Sequence, residues 1–409
     1  MKIGEIMRDF IQFNILRRSE KLAAGSQKSA IVINIQHPAS SIFSLPLHAI
    51  PFIMYTKKGK SPKEASPVRT DISTLGEFGL IDHLTKNIVL KNPGTIKGVG
   101  DDAAVFDTNG KLLLLSTDLL LEGVHFDLTY MPLKHLGYKA AVVNFSDIAA
   151  MNGIPKQLTV SLAISNRFSL EAIVEIYNGI KMACSKYQVD LVGGDTSSSL
   201  TGLLLSITVT GEAEKDEIVY RNGAQENDLL CVTGDLGGAY TGLLVLEREK
   251  QVYKANPAMQ PELTGYDYVL GRQLKPEART DIRNLLVGIG VHPTSMIDIS
   301  DGLASEILHI CSQSNVGCRL YEEKIPIDPE TKQTANEFKI VPTVCALNGG
   351  EDYELLFTVR QEDYDKIKDI AGISMIGHMT TPSDGAHLIT TDGLVMELTA
   401  QGWDALRKQ

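Results

Sequence analysis

The residues of this chain best suited to chemistry are aspartates that follow apolar runs or face inward on a helix. They are Asp101 and Asp102 in GVGDDAAV, Asp118 in LLLLSTD, Asp147 in NFSDIAAM, Asp195 in LVGGDTS, and Asp298 and Asp301 in MIDISDG. Strand ends present side chains to a crevice, and carboxylates gathered there repel one another unless cations lie between them. Hard oxygen donors suit Mg²⁺, which keeps several waters and bridges protein carboxylates to substrate phosphates. One such aspartate equally well caps a helix or ends a turn. Seven in such contexts make metal-assisted phosphate chemistry the stronger reading. Ser116, Thr117 and Ser300 add neutral oxygens, with local capping as the alternative role for a hydroxyl.

Other positions stay open on residue type alone. Arg221 can reach a phosphate or sit solvated at the surface. His125, in LEGVHFD, either donates to a phosphate oxygen or finishes a loop. Glu351 and Asp352 follow two glycines and either line a pocket or form a turn. Trp403, the sole tryptophan, is more readily a packing anchor than a stacking platform. GVGDDA fits a dinucleotide fingerprint in letters only: two aspartates would face the pyrophosphate, and KNPGTIK before it is not a buried strand. GKS at Gly59–Ser61 lacks the glycine five residues earlier that a Walker loop requires, since Met54 stands there.

The elements that must position these groups alternate between strand and helix patterns, the mark of an α/β chain. Lys111–Ser116 and Gln157–Ser165 are predicted strands. Between them Leu133–Met151 is a predicted helix, with Ala140, Val143, Asp147 and Met151 on one side. Leu170–Tyr187 is a second helix, followed by strands in VDLV and LLLSITVTG. After a polar, turn-rich stretch, the strand LLCVTG and a glycine-led helix from Gly237 open a second half. It continues with the strand MIDIS, a helix over Gly302–Ser312, and GGEDYELLFTV as a turn entering a strand. The domain boundary falls near residue 217.

Composition limits the function classes. The chain has 409 residues, 43% hydrophobic and 22% charged, enough for two or three folded domains rather than disorder or a membrane bundle. A formal charge of -11 disfavours nucleic-acid binding. The first 68 residues differ, with ten Lys or Arg against four Asp or Glu, and read as a flexible extension. Five scattered cysteines without CxxC pairing indicate reduced, mostly buried thiols in a cytoplasmic protein. The apolar run Ile42–Tyr55 is too short and too interrupted to span a bilayer, and no secretory signal is assembled.

GVGDDAAV, STD, NFSDIAAMNG, LVGGDTS, IDISDG and GGEDYEL occur in the order found in thiamine-monophosphate kinases. From about Arg69 to Trp403 the sequence closely resembles that family, within the ATP-binding superfamily of aminoimidazole ribonucleotide synthetase. The resemblance implies an α/β fold of two domains, 69–217 and 218–409. The first would pair with its twin in a homodimer to form a β-barrel, with ATP between the domains. It also implies Mg²⁺-dependent phosphorylation of thiamine monophosphate to thiamine diphosphate by direct in-line transfer. Metal ligands would be Asp102, Ser116, Thr117, Asp118, Asp147, Asp195, Asp298 and Asp301, with Asp118, Asp147 and Asp301 at the reacting centre. Tyr177, Gly194, Asp195, Arg221 and Ser300 would hold the nucleotide, and His125, Glu351 and Trp403 the acceptor. The family's chains start near TLGEFGLID, so residues 1–68 depart from its pattern, and Val68 is the expected natural start. The alternative is another enzyme of the superfamily, such as a ring-closing synthetase.

Overall fold

The computed structural model of the chain describes residues 93–108 and 110–401, with Gly79, Thr85 and Lys91 as isolated earlier positions. The expected extension over residues 1–68, the start at Val68 and Trp403 lie outside the described residues.

In the first half, apolar residues at every second position build a six-stranded sheet. Its members are β1 (Thr95–Lys97), β2 (Ala104–Asp107), β3 (Leu112–Leu121), β4 (Ile154–Ile164), β5 (Asp190–Ser198) and β6 (Leu204–Ala213), in the order β1-β2-β3-β6-β4-β5. Only the β4–β5 pair is parallel. Two helices, α1 (Leu133–Ala150) and α2 (Leu170–Tyr187), lie between β3 and β4 and between β4 and β5 in the chain. Ser169 caps α2 by accepting from Ala172 N, as expected for serine at that position. The two helices touch backbone to backbone at Gly137 and Gly179. A Cβ on either would come within 1.9 Å of a carbonyl oxygen of the other helix.

The second half forms a seven-stranded sheet from β7 (Leu229–Thr233), β8 (Ser295–Asp298), β9 (Gly317–Tyr321), β10 (Leu355–Val359), β11 (Ile373–Thr380), β12 (Ala386–Ile389) and β13 (Val395–Glu397). Their order is β13-β12-β9-β11-β7-β10-β8. The helices of this half include α3 (Gly238–Ala255), α4 (Asp267–Leu274), α5 (Thr280–Gly288), α6 (Leu303–Ser314), α7 (Pro329–Glu337) and α8 (Pro342–Asn348). Leu303, Ile307 and Ile310 of α6 pack on one face of the sheet, and Ile282 and Leu286 of α5 on the other.

Helix α1 positions the site. It is buried on nearly every side and contacts β3, β4 and β6 of the first sheet as well as β8 of the second. That placement explains why its sequence lacks a solvent face. The expected helices and strands are present, and two strands run past their predicted ends. The one in VDLV continues to Ser198, which places Asp195 inside β5. The strand predicted to end at Ser116 runs on to Leu121, paired with β6 along its whole length. Asp118 is therefore inside a strand, not beyond its end.

Candidate functional site

Three carboxylates meet where α1 passes between the sheets. Asp102 comes from the turn before β2, Asp147 from α1 and Asp298 from the last position of β8; their nearest oxygens lie within 4.8 Å of one another. Asp298 is 3% exposed and Asp102 is also buried. On β3, the period-two alternation puts Ser116 and Asp118 on the inner face with Leu114 and Leu120. Ser116 Oγ donates to Asp147 Oδ2 at 2.5 Å, and Ser146 Oγ donates to Asp298 Oδ2 at 2.5 Å. Each hydroxyl fixes one carboxylate rotamer. Asn144 ties the strand to the helix by accepting from Asp118 N at 3.2 Å while donating to Ala140 O.

Arg221 faces the cluster as a fork. Its Nε donates to Asp102 Oδ2 at 2.9 Å and its Nη2 to Asp102 Oδ1 at 2.6 Å, the bidentate arrangement a guanidinium favours. Lys97 pairs with the neighbouring Asp101 at 3.2 Å. Proton affinity is raised at Asp147, Asp298 and Asp118. Burial, then the nearby Asp118, Asp298 and Asp102 charges, push Asp147 well above the usual carboxyl range. Burial and Asp102 raise Asp298 to about 8, and burial raises Asp118 to about 6. Several acids crowded in a poorly hydrated place cannot all ionise without compensating positive charge.

The segment after β8 is braced from two directions. Glu306 on α6 accepts from Ser300 N at 3.2 Å and Asp301 N at 2.8 Å, and its own carboxyl is raised by burial and by Asp301. On the other side, Glu351 N donates to Ser300 O and Tyr353 N to Ile299 O. This loop has unusual geometry: Glu351 and Tyr353 both adopt left-handed backbone angles, φ 57° and 53°. Between them Asp352 accepts from Gly237 N and Ala239 N at the start of α3, so it is an anchor rather than a pocket-lining acid. Gly350 must lack a side chain, because a Cβ there would come within 2.4 Å of Ser300 O at φ 68°.

The remaining expected residues are more dispersed. Thr117 points to the opposite face of β3 and donates to Ile207 O at 3.0 Å. Gly194 and Asp195 lie on the exposed edge strand β5, where Gly194 allows close approach to Val160 O and Asp195 accepts from Thr196 N. His125 is exposed in the turn after β3, its Nδ1 accepting from Leu121 N. Tyr177 is half-buried on α2. Sequence reasoning missed Asn144, Ser146, Glu306 and Lys139. The last is a buried lysine that pairs with Glu351 Oε1 at 2.9 Å.

This arrangement gathers hard carboxylate oxygens of a kind that divalent cations take. Residues 100–213 match the family described as AIR synthase related protein, N-terminal domain. Over 336 residues the chain is 34% identical to the thiamine-monophosphate kinase of Bacillus subtilis (strain 168), spanning 81% of this chain and 99% of that protein. It is 36% identical over 305 residues to the thiamine-monophosphate kinase of Aquifex aeolicus (strain VF5), spanning 75% and 92%. Among solved structures it is similar to AaThiL complexed with AMPPCP and TMP, at TM-score 0.70 and 32% identity, covering 82% of this chain and 99% of that one.

Proposed function

We infer, for a chain that belongs to the thiamine-monophosphate kinase family, that its carboxylate crevice transfers the γ-phosphoryl group of ATP to thiamine monophosphate. The products are ADP and thiamine diphosphate. The meeting of Asp102, Asp147 and Asp298 within 4.8 Å carries this reading. AaThiL is complexed with both AMPPCP and TMP, which supports a site that takes nucleotide and acceptor together.

The residues fit Mg²⁺. Their donors are hard oxygens, the proton affinities of Asp147 and Asp298 are raised by burial and then by neighbouring acids, and Arg221 neutralises Asp102 without reaching all of them. Asp102, Asp147 and Asp298 would hold the metal, with Asp118, Ser116 and Asp301 beside them. When bound, Mg²⁺ supplies charge neutralisation at the phosphoryl oxygens, the dominant requirement of phosphoryl transfer. The chain's own groups set the alignment. Ser116 and Ser146 fix carboxylate orientations, and Glu306 holds the Ser300–Asp301 backbone. A phosphate monoester has a second pKa of about 6, so the acceptor is ionised at neutral pH and direct in-line attack needs no strong base.

Several coarser features support finer expectations. The first sheet leaves Ile96, Leu119, Leu121 and Val192 exposed, an apolar surface suited to a second copy and to barrel closure between two first domains. We divide the chain into an ATP- and metal-binding domain ending near residue 217 and a second domain from 218, since Glu217 lies between β6 and β7. Among the described residues no helix is long and apolar enough to cross a membrane. All five cysteines are free and buried, which suits a reducing cytoplasm.

The test is a product assay on the purified chain with ATP, Mg²⁺ and thiamine monophosphate. The expected result is thiamine diphosphate formed mole for mole with ADP. ADP release indifferent to thiamine monophosphate, with no thiamine diphosphate, would contradict the assignment.

A further inference from the structure

A charged group that the chemistry above does not use lies at the junction of the two halves. Lys139, on α1, is 2% exposed, and a buried amine must find polar partners. Its Nζ pairs with Glu351 Oε1 at 2.9 Å and donates to Gln273 O at 3.1 Å. Gln273, on α4, is 3% exposed and donates from Nε2 to Glu351 Oε2 at 2.7 Å. Both carboxylate oxygens of Glu351 are thus fixed by donors from different elements, one from each half of the chain. A buried lysine is costly unless paired, and this pairing spans the site rather than a distant surface.

A second observation points to a ligand at this place. Gln273 Oε1 is buried and has no hydrogen-bond partner among the described residues. A carboxylate has about four lone-pair sites, of which Lys139 and Gln273 occupy two on Glu351. What remains on Glu351 and Gln273 Oε1 can only accept. Such an edge matches a cationic or N–H-bearing group, and thiamine monophosphate carries both.

We propose that Lys139 is a positioning residue for the acceptor, locking Glu351 into the single orientation in which it meets the cationic, amino-bearing part of thiamine monophosphate. This rests on the reading of Glu351 as an acceptor contact. It assigns Lys139 no contact with ATP. Its removal should therefore weaken the acceptor selectively.

The experiment measures KM for each substrate separately in Lys139→Met, Glu351→Gln and the double variant. Lys139→Met is expected to raise KM for thiamine monophosphate about tenfold while KM for ATP stays within about twofold. Glu351→Gln should raise KM for the acceptor comparably. Adding Lys139→Met to Glu351→Gln should change that KM by less than about twofold, because the pair acts as a unit. The double variant removes both charges, so the comparison survives if Lys139→Met alone leaves an unpaired carboxylate that prevents folding. Multiplying effects in the double variant, or an equal rise in KM for ATP, would overturn the proposal while leaving Glu351 as an acceptor contact. An unchanged acceptor KM in Glu351→Gln would remove that contact, and the proposal with it.

Discussion

Replacing Asp147 by asparagine is expected to stabilise the metal-free protein and to slow the enzyme. The carboxyl oxygens of Asp102, Asp147 and Asp298 lie within 4.8 Å of one another. Two unit charges at that distance repel by about 3.5 kcal/mol at an effective dielectric near 20. The fold escapes part of this by taking up protons, which is why burial and the surrounding acids raise Asp147 so far. Asparagine relieves only a fraction of that repulsion, about 1–2 kcal/mol. Asparagine keeps an acceptor for Ser116 Oγ and nearly the same volume. Thermal unfolding in EDTA should therefore place the Asp147→Asn midpoint a few °C above the parent. Saturating Mg²⁺ should close or reverse that gap, because the parent gains more from cation binding. Turnover should fall by about tenfold or more.

The same geometry fixes the sign of the pH dependence. Burial and Asp102 raise Asp298 to about 8, so between the ordinary carboxyl range and pH 8 the folded state holds protons that the unfolded state has released. Stability of the metal-free parent should fall as pH rises through that window and level off above it. The Asp147→Asn variant should show a shallower slope. A lower midpoint for the variant in EDTA, together with near-parental turnover, would rule out repulsion among these acids and a part for Asp147 in turnover.

Two further outcomes are expected. Glu277 accepts from Tyr138 and Tyr187 and pairs with Lys186 and Lys275; against the upward push of burial these partners hold its carboxyl down at about 2. Its stabilisation should be complete above the ordinary carboxyl range and lost as pH falls towards 2, so urea midpoints of Glu277→Gln should converge with the parent in acid and lie below it at neutral pH. Gly350→Ala, whose Cβ would sit 2.4 Å from Ser300 O, should displace the loop that braces Ser300 and Asp301. Steady-state kinetics should show about a tenfold loss of kcat, with about 1–3 kcal/mol of destabilisation; parental kinetics would count against a role for that brace.

Much of the scaffold was legible because its signals are local. Leu170–Tyr187 has a serine cap and helical periodicity, and the structure gives it the same limits. Asp102, Asp147 and Asp298 are legible only as members of a set of seven aspartates that follow apolar runs or face inward on a helix. Their convergence depends on α1 contacting both sheets, which the helix announces only through its lack of a polar face. Other parts were not legible because their partners are remote in sequence. Ser146 serves Asp298, 152 positions away. Lys139 reads as an ordinary polar residue in GYKAAVV until α4 and the Glu351 loop enclose it. Asp118 reads as lying beyond a strand end because the apolar run stops before the predicted strand's last residue, Ser116, whereas pairing with β6 continues through it. Asp352 resembled Glu351 by residue type, and only the helix start it caps separates their roles.

Carboxylates from both halves of the chain are expected to hold the divalent cations that align two phosphorylated substrates. Crystals grown with AMPPCP, thiamine monophosphate and Mn²⁺ in place of Mg²⁺ test it directly through anomalous difference density. The expected result is manganese bounded by Asp102, Asp147 and Asp298 and in contact with phosphate oxygens. Phosphates bound in the crevice with no metal at those three carboxylates, or manganese only at other surfaces, would contradict it.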